Sequence, residues 1–283
     1  MVPQLSIIFM SISALIAVGL PVAIFLIWRK KYNLKIIPML FGIIAFVMFA
    51  LVFEQILHSF VLRPNPDGSI GLLTENPALF ILYAIFAAGV FEETARFISF
   101  HILKRRFDGI GTGLSYGIGH GGIEAILIAG LAMVSNILMS VTINSGNAAI
   151  LGNDPAVFAQ INTMINTSPA LFLASGFERI IAVSVHISLS MLVWCSVKVK
   201  GKLWLYPAAI LLHAVVNLAP AFYQAGIIQS IWLIEVLIII PAALVAYFAY
   251  RVCMIMQKED ISTTTAEDKT EREKVSANEG QSK

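Results

Sequence analysis

The chain has 283 residues, of which 58% are hydrophobic and only 13% charged, and its formal net charge is +2. A soluble domain of this length carries about 25% charged residues, so the composition excludes an ordinary water-soluble globule. The balanced charge gives no nucleic-acid footprint, so nucleic acid is not an expected partner.

Apolar runs recur along the chain, each long enough to cross a hydrocarbon core of about 30 Å as helix. Seven spans are read near 5–28, 36–58, 78–103, 110–139, 169–197, 203–223 and 228–250. The fold class expected is therefore all-α, a polytopic transmembrane helix bundle over residues 1–256. The first span has no basic n-region and no small-residue cleavage site, so it is read as a span and not as a cleavable signal. The fourth is long and glycine-rich, which predicts a kink or a break and leaves six or eight spans as alternatives. Residues 257–283 are charged, lack an apolar stripe and are expected to be a disordered tail.

Lysine and arginine set the expected orientation. Arg29, Lys30, Lys31 and Lys35 follow the first span, Lys104, Arg105 and Arg106 the third, and Lys198, Lys200 and Lys202 the fifth. Arg251 and the tail follow the seventh, whereas the loops 59–77, 140–168 and 224–227 hold only Arg63. That asymmetry places the N-terminus outside and the C-terminus in the cytoplasm of a multi-pass cell-membrane protein. Cys195 and Cys253 fall near the cytoplasmic side, where no disulfide is expected.

Within the spans lie Glu54, His58, Glu92, Glu93, Arg96, His101, His120, Glu124, Glu178, Arg179, His186, His213 and Glu235. Six unpaired charges at mid-depth would cost on the order of 15–20 kcal/mol, so these groups must be paired, protonated or facing a wet cavity. Depth separates them. Glu93 lies 11 residues before Lys104, His120 lies 12 after Asp108, His186 lies 12 before Lys198, and His213 lies 11 after Lys202. At 1.5 Å rise per residue, each stands about 16–18 Å from its boundary marker. Four spans thus bring one glutamate and three histidines to one level.

Helical spacing adds partners on the same faces: Glu92 and Arg96 are four apart, Glu93 and Arg96 three, His120 and Glu124 four, and His213 and Asn217 four. One glutamate would satisfy Arg96. The second, about 100° away around the helix, needs its own reason. Glu54, His58, His101, Glu178, Arg179 and Glu235 are read as structural, with Arg179 expected to find a partner other than its neighbour Glu178.

Two motif matches lack their context. GIGHGG (117–122) has no preceding strand, and Gly113, Gly117 and Gly121 at four-residue spacing instead predict close helix packing. GLSYG (113–117) lacks a strand-to-helix elbow, which leaves Ser115 as the nucleophile of a serine-type alternative. No H-E-x-x-H occurs.

A glutamate in this setting can take a proton from water, a histidine can hold that water, and a second histidine with asparagine can donate to a developing oxyanion. Three histidines and a glutamate at one level, His120, His186, His213 and Glu93, are also a zinc ligand set, with the other glutamate as base. The residues alone leave metal-free and metal-assisted hydrolysis both open.

EETAR (92–96), YGIGH (116–120) and HAVVN (213–217) resemble, in order and in span placement, the motif set of the CAAX-protease and bacteriocin-processing superfamily. With GHGGIE and FER…H, the chain most resembles its YhfC branch of intramembrane proteases, related to PrsW-type proteases, over about residues 75–220. The resemblance implies an endopeptidase of a bacterial plasma membrane acting on a membrane-embedded or membrane-delivered peptide. Glu92 or Glu93 would then be the base with His120, His213 and Asn217 would stabilise the oxyanion, Arg96 would orient the glutamates, and Glu124 would be secondary. Here the arginine follows the glutamate pair after two residues and not three, as in the PrsW pattern, which leaves the division of roles between the glutamates open. The rival reading is a non-catalytic membrane protein, a bacteriocin self-immunity factor or a proton-coupled transporter. The absence of a visible internal repeat counts against the transporter.

Overall fold

A computed structural model describes residues 1–65, 67–147 and 154–254, so the tail expected from 257 lies outside the described residues. Seven helices among them are long and apolar enough to cross a membrane. They are α1 (Gln4–Lys31), α2 (Ile36–Val61), α3 (Pro77–Leu103), α4 (Ile110–Asn144), α5 (Pro169–Lys198), α6 (Leu205–Gln224) and α7 (Ile231–Met254). The seven expected spans correspond to these one for one. Two short helices, Gly71–Glu75 and Pro155–Asn166, occupy loops in which sequence reading placed no element.

Local chemistry starts the helices where the composition changes. Asn76 caps α3 by accepting from the Leu79 backbone N–H at 3.1 Å, and Pro77 occupies the first turn, where a missing N–H costs nothing. Pro169 opens α5 in the same way. Gly109, at φ 73°, turns the chain into α4 in a backbone region that side chains disfavour.

The expected interruption of α4 is a register shift, not a break. A π-helical turn over Ala125–Gly130 follows Glu124 directly, and α4 continues beyond it to Asn144. A second π turn, Phe49–Phe53, sits in α2 and ends at Glu54. Such a turn inserts one residue, which rotates the following face by about 100° relative to an unbroken α-helix. Both π turns therefore abut a carboxylate.

α5 is the axis of the bundle: 72% of its most apolar window is buried, against 22–33% for the other six helices. It packs against α1, α3, α4 and α6. The glycine stripe of α4 lies on it, as the spacing predicts. A Cβ on Gly113, Gly117 or Gly121 would come within 2.7 Å of Met191 Sδ, 2.6 Å of Ile187 Cα or 2.8 Å of His186 Cβ. On the other side of α4, a Cβ at Gly119 would lie 2.0 Å from the Met39 carbonyl oxygen of α2. Without side chains at these points the three helices close to backbone contact, and His120 and His186 come ring to ring at 5.2 Å.

Toward the end of the bundle carrying the basic loops, aromatic packing closes the interior. Phe100, Tyr116 and Trp194 are fully buried, with Phe100 4.7 Å from the Tyr116 ring and 5.3 Å from the Trp194 ring. Tyr116 in turn stacks beneath His120 at 5.9 Å.

Candidate metal and catalytic centre

Four helices deliver the ionisable groups to one buried tier: α3 gives Glu92, Glu93 and Arg96, α4 gives His120 and Glu124, α5 gives Arg179 and His186, and α6 gives His213. All but Glu124 are buried below a tenth of their free exposure. The rings of His120, His186 and His213 run in sequence, 5.2 and 5.8 Å apart.

Arg96 links the two glutamates, as their spacing predicts. Its Nη1 donates to Glu93 Oε1 at 2.5 Å, and Nη2 lies 3.5 Å from Glu92 Oε2. Nε donates to Ser190 Oγ at 3.1 Å, and Nη2 donates to His186 Nδ1 at 2.6 Å. The adjacent glutamates then diverge, as neighbours on a helix must. Glu92 Oε2 meets His120 Nε2 at 2.8 Å and His186 Nδ1 at 3.5 Å, while Glu93 Oε1 meets His213 Nδ1 at 2.8 Å.

Glu124 does not pair with His120, the partner its spacing suggested. It contacts His186 Nε2 and lies 3.4 Å from Arg179 Nη1. His120 and Glu124 lie in the same regular stretch of α4 before the π turn, and it is the packing of α5 that brings His186 and Arg179 to Glu124. Arg179 thus has the other partner expected for it, Glu124, and in addition pairs with its neighbour Glu178 at 2.5 Å, which helix direction had argued against. A long guanidinium stem bends back to a half-exposed carboxylate, which backbone direction alone does not forbid.

One cavity opens onto this tier and a second adjoins the first. The first, of about 210 Å³, is lined by Glu92, Glu124, Arg179, His186, His213 and Asn217 among others. The second, of about 250 Å³, is lined by Glu54, His58, Tyr83, Asn217 and Gln224 with apolar neighbours. Ala88, Asn217 and Pro220 line both. Asn217 thus stands at the junction, one turn beyond His213 on α6. Ser115 is elsewhere: its hydroxyl donates to the Gly111 carbonyl at 2.6 Å and accepts from the Lys35 backbone N–H at 2.9 Å. These bonds tie α4 to the start of α2, and among the described residues Ser115 has no hydrogen bond to a histidine.

Residues 12–238 match the family described as YhfC intramembrane metalloprotease. The chain belongs to the YhfC family. It is 33% identical to the uncharacterised membrane protein YhfC of Bacillus subtilis (strain 168), over 91% of this chain and all of that protein. No solved structure matches it.

A metalloprotease family calls for a metal, and the tier can be tested for one. One ligating atom each from Glu92, His120 and His186 lies within 4.8 Å of the others, all three residues being buried. Two imidazoles and a carboxylate are a donor set of catalytic zinc sites. Charge points the same way: counting the histidines as neutral, Glu92, Glu93, Glu124 and Glu178 are set against two cations among the described residues, Arg96 and Arg179, a formal excess of two negative charges. His120 Nδ1 and Glu93 Oε2 are also buried with no hydrogen-bond partner among the described residues. The residues fit a divalent cation. The converging carboxylate is Glu92, whereas sequence reading had placed Glu93 and His213 in the ligand set. Glu93 Oε1 and His213 Nδ1 are in contact with each other at 2.8 Å.

In this YhfC-family chain, sequence reading missed Ser190, which anchors Arg96, and the cavity beyond Asn217, whose Glu54 and His58 it took as structural. Serine at a buried helix face carries no signal of its own. Glu54 and His58 did signal, by their four-residue spacing within a span, but their depth set them apart from the main tier.

Proposed function

We propose that the chain is an intramembrane endopeptidase that hydrolyses a peptide bond of a membrane-embedded or membrane-delivered peptide, with water activated at the Glu92–Glu93–His120–His186–His213 tier. We place it in a bacterial plasma membrane with the N-terminus outside and the C-terminus cytoplasmic, on the asymmetry of its basic loops. The observation that carries the reading is the division of labour between adjacent glutamates. One converges with two histidines, while the other is held through one oxygen and keeps the second free.

Glu92, His120 and His186 would hold a divalent ion, zinc by the chemistry of the donors, which when bound polarises water and carbonyl oxygen. Glu93 is the general base. Arg96 and His213 fix its Oε1, leaving Oε2, which has no hydrogen-bond partner among the described residues, to accept the proton of the attacking water. His213 donates Nδ1–H to Glu93 Oε1 across their 2.8 Å contact and, as the imidazolium, keeps a second N–H on Nε2. With Asn217, which lines the same cavity, it supplies donors to the carbonyl oxygen as negative charge develops there. The aromatic floor of Phe100, Tyr116 and Trp194 excludes water from the opposite side of the tier. Glu124 holds His186 in orientation through Nε2.

The test is cleavage of a membrane peptide library by purified wild type, a Glu92→Gln/Glu93→Gln double variant and Ser115→Ala. Wild type and Ser115→Ala are expected to cut and the double variant to be inert. Wild-type-like cleavage by the double variant would sink the hydrolase mechanism.

A further inference from the structure

The cavity beyond Asn217 contains a carboxylate that the proposed hydrolysis does not use. Glu54 is 6% exposed and lines this space, yet it makes no hydrogen bond among the described residues. Its partner is His58, with Nε2 at 3.4 Å from Oε1, longer than a hydrogen bond between these atoms. His58 is itself engaged on its other nitrogen, where Tyr83 Oη sits 2.7 Å from Nδ1. With the phenol donating, the histidine proton stays on Nε2 and the ring is neutral, so Glu54 has no cation beside it. An ionised carboxylate accepts at about four lone-pair positions, and most of those of Glu54 have nothing to bind.

The rest of the cavity has the shape of a receptor for a long side chain with a positive end. Leu62, Ile70 and Phe80 supply apolar wall, and Ala84 and Ala88 on α3 leave room between the helices. An aliphatic stem packs against such walls while its charged end reaches a polar partner. The π turn Phe49–Phe53 ends at Glu54, and without its inserted residue that carboxylate would face about 100° away. Ala88, Asn217 and Pro220 line both this cavity and the one holding Glu92, His186 and His213. The two cavities thus adjoin at Asn217, the residue that the hydrolase reading sets against the carbonyl oxygen.

We propose that the Glu54 cavity is a specificity subsite that receives a cationic side chain, lysine or arginine, of the substrate beside the bond that is cut. This rests on the hydrolase reading, and its own content is that the bound group is a cation and that Glu54 binds it. His58 and Tyr83 are positioning residues that hold the carboxylate's side of the cavity.

Two measurements on the full-length protein test it. The first compares cleavage of matched membrane peptides that carry lysine, norleucine or glutamate at each position flanking the cut. Wild type is expected to favour lysine at one position by about tenfold or more in kcat/KM, the worth of a charge-assisted hydrogen bond. Glu54→Gln is expected to lose that preference, through KM, while cutting the norleucine peptide at close to the wild-type rate. A lysine preference that survives Glu54→Gln overturns the proposal, as does an equal loss on both peptides, which marks a structural role.

The second measurement is independent of turnover. Labelling of Glu54 by a hydrophobic carbodiimide is followed by mass spectrometry with a short apolar lysine peptide amide or its norleucine analogue present. The lysine peptide is expected to slow labelling and the analogue not to. Equal labelling with both overturns the subsite. Protection by lysine without any cleavage by wild type would overturn the hydrolase reading and leave the cation subsite standing.

Discussion

Arg96 Nη2 lies 2.6 Å from His186 Nδ1, and because a guanidinium can only donate, His186 must offer that nitrogen as a lone pair. Its proton then belongs on Nε2, against Glu124. The same guanidinium reaches both glutamates of α3, so one positive charge spans the donors that converge at the tier. A metal ion held by His186 would take the Nδ1 lone pair, and Arg96 Nη2 would then give up that contact and keep its ion pairs with the two glutamates.

Arg96→Gln is expected to destabilise the fold. The substitution keeps a polar group but leaves Glu93 Oε1 with only His213, in a place that is fully buried. Breaking a buried ion pair by removing one partner costs about 3–5 kcal/mol. The prediction is a clear fall in Tm in detergent and a low yield. An unchanged Tm would mean that Glu93 is protonated in the native state and that the arginine is not its counter-charge.

Metal content separates the ligands from their neighbours. Wild type is expected to carry about one zinc per chain, as catalytic sites with three protein ligands do. Glu92→Ala, His120→Ala and His186→Ala should each lose it, by elemental analysis of protein purified without chelator. His213→Ala should keep it, because its ring is held by Glu93 and is not one of the three converging groups. Zinc lost from His213→Ala and kept in Glu92→Ala would restore the ligand set drawn from depth alone.

Depth counting from the basic boundaries was enough to bring Glu93, His120, His186 and His213 to one level, because a helix has a fixed rise and a lipid-facing chain has few places for charge. It could not say which neighbour each would meet. Glu92 and Glu93 differ by about 100° of rotation, and which of them faces α4 or α6 depends on how the helices are turned in the bundle. Glu124 was matched to His120 by a spacing that holds within α4, but α5 packs against that face and supplies His186 and Arg179 as its partners, which spacing within one helix does not show. The glycine stripe of α4 was legible for the opposite reason: four-residue spacing of the smallest side chain has one physical use in a membrane helix. The helix Pro155–Asn166 was not, since a polar, interrupted stretch between two spans carries no strong period.

That stripe predicts a stability phenotype without a site residue being touched. Gly117→Val would put side-chain carbon against Ile187 Cα, where even a Cβ would lie at 2.6 Å, and backbone cannot swing aside as a flexible side chain can. Overpacking of this kind costs about 1–3 kcal/mol or more. The expected result is a lower Tm and reduced zinc content, since α4 and α5 carry His120 and His186. Gly146→Ala, at the open end of α4, is the control for handling effects: nothing lies within 4 Å of an added Cβ, and any cost comes from its φ of 81° alone.

The sharpest separation lies between the two glutamates. Glu93→Gln keeps a group that fills the same space and still accepts from Arg96 and His213 through its amide oxygen, but its other end can no longer take a proton. Activity should fall by about 10²–10⁴, the usual worth of a positioned base, with zinc content and Tm near wild type. Glu92→Gln should instead lose zinc and activity together, because an amide is a poor substitute for a carboxylate ligand. The readouts are single-turnover cleavage of one membrane peptide and metal analysis of the same preparations. If Glu93→Gln lost its zinc while Glu92→Gln kept it, the roles would be exchanged, and the free Oε2 of Glu93 would have to be read as the ligand atom and not as the base.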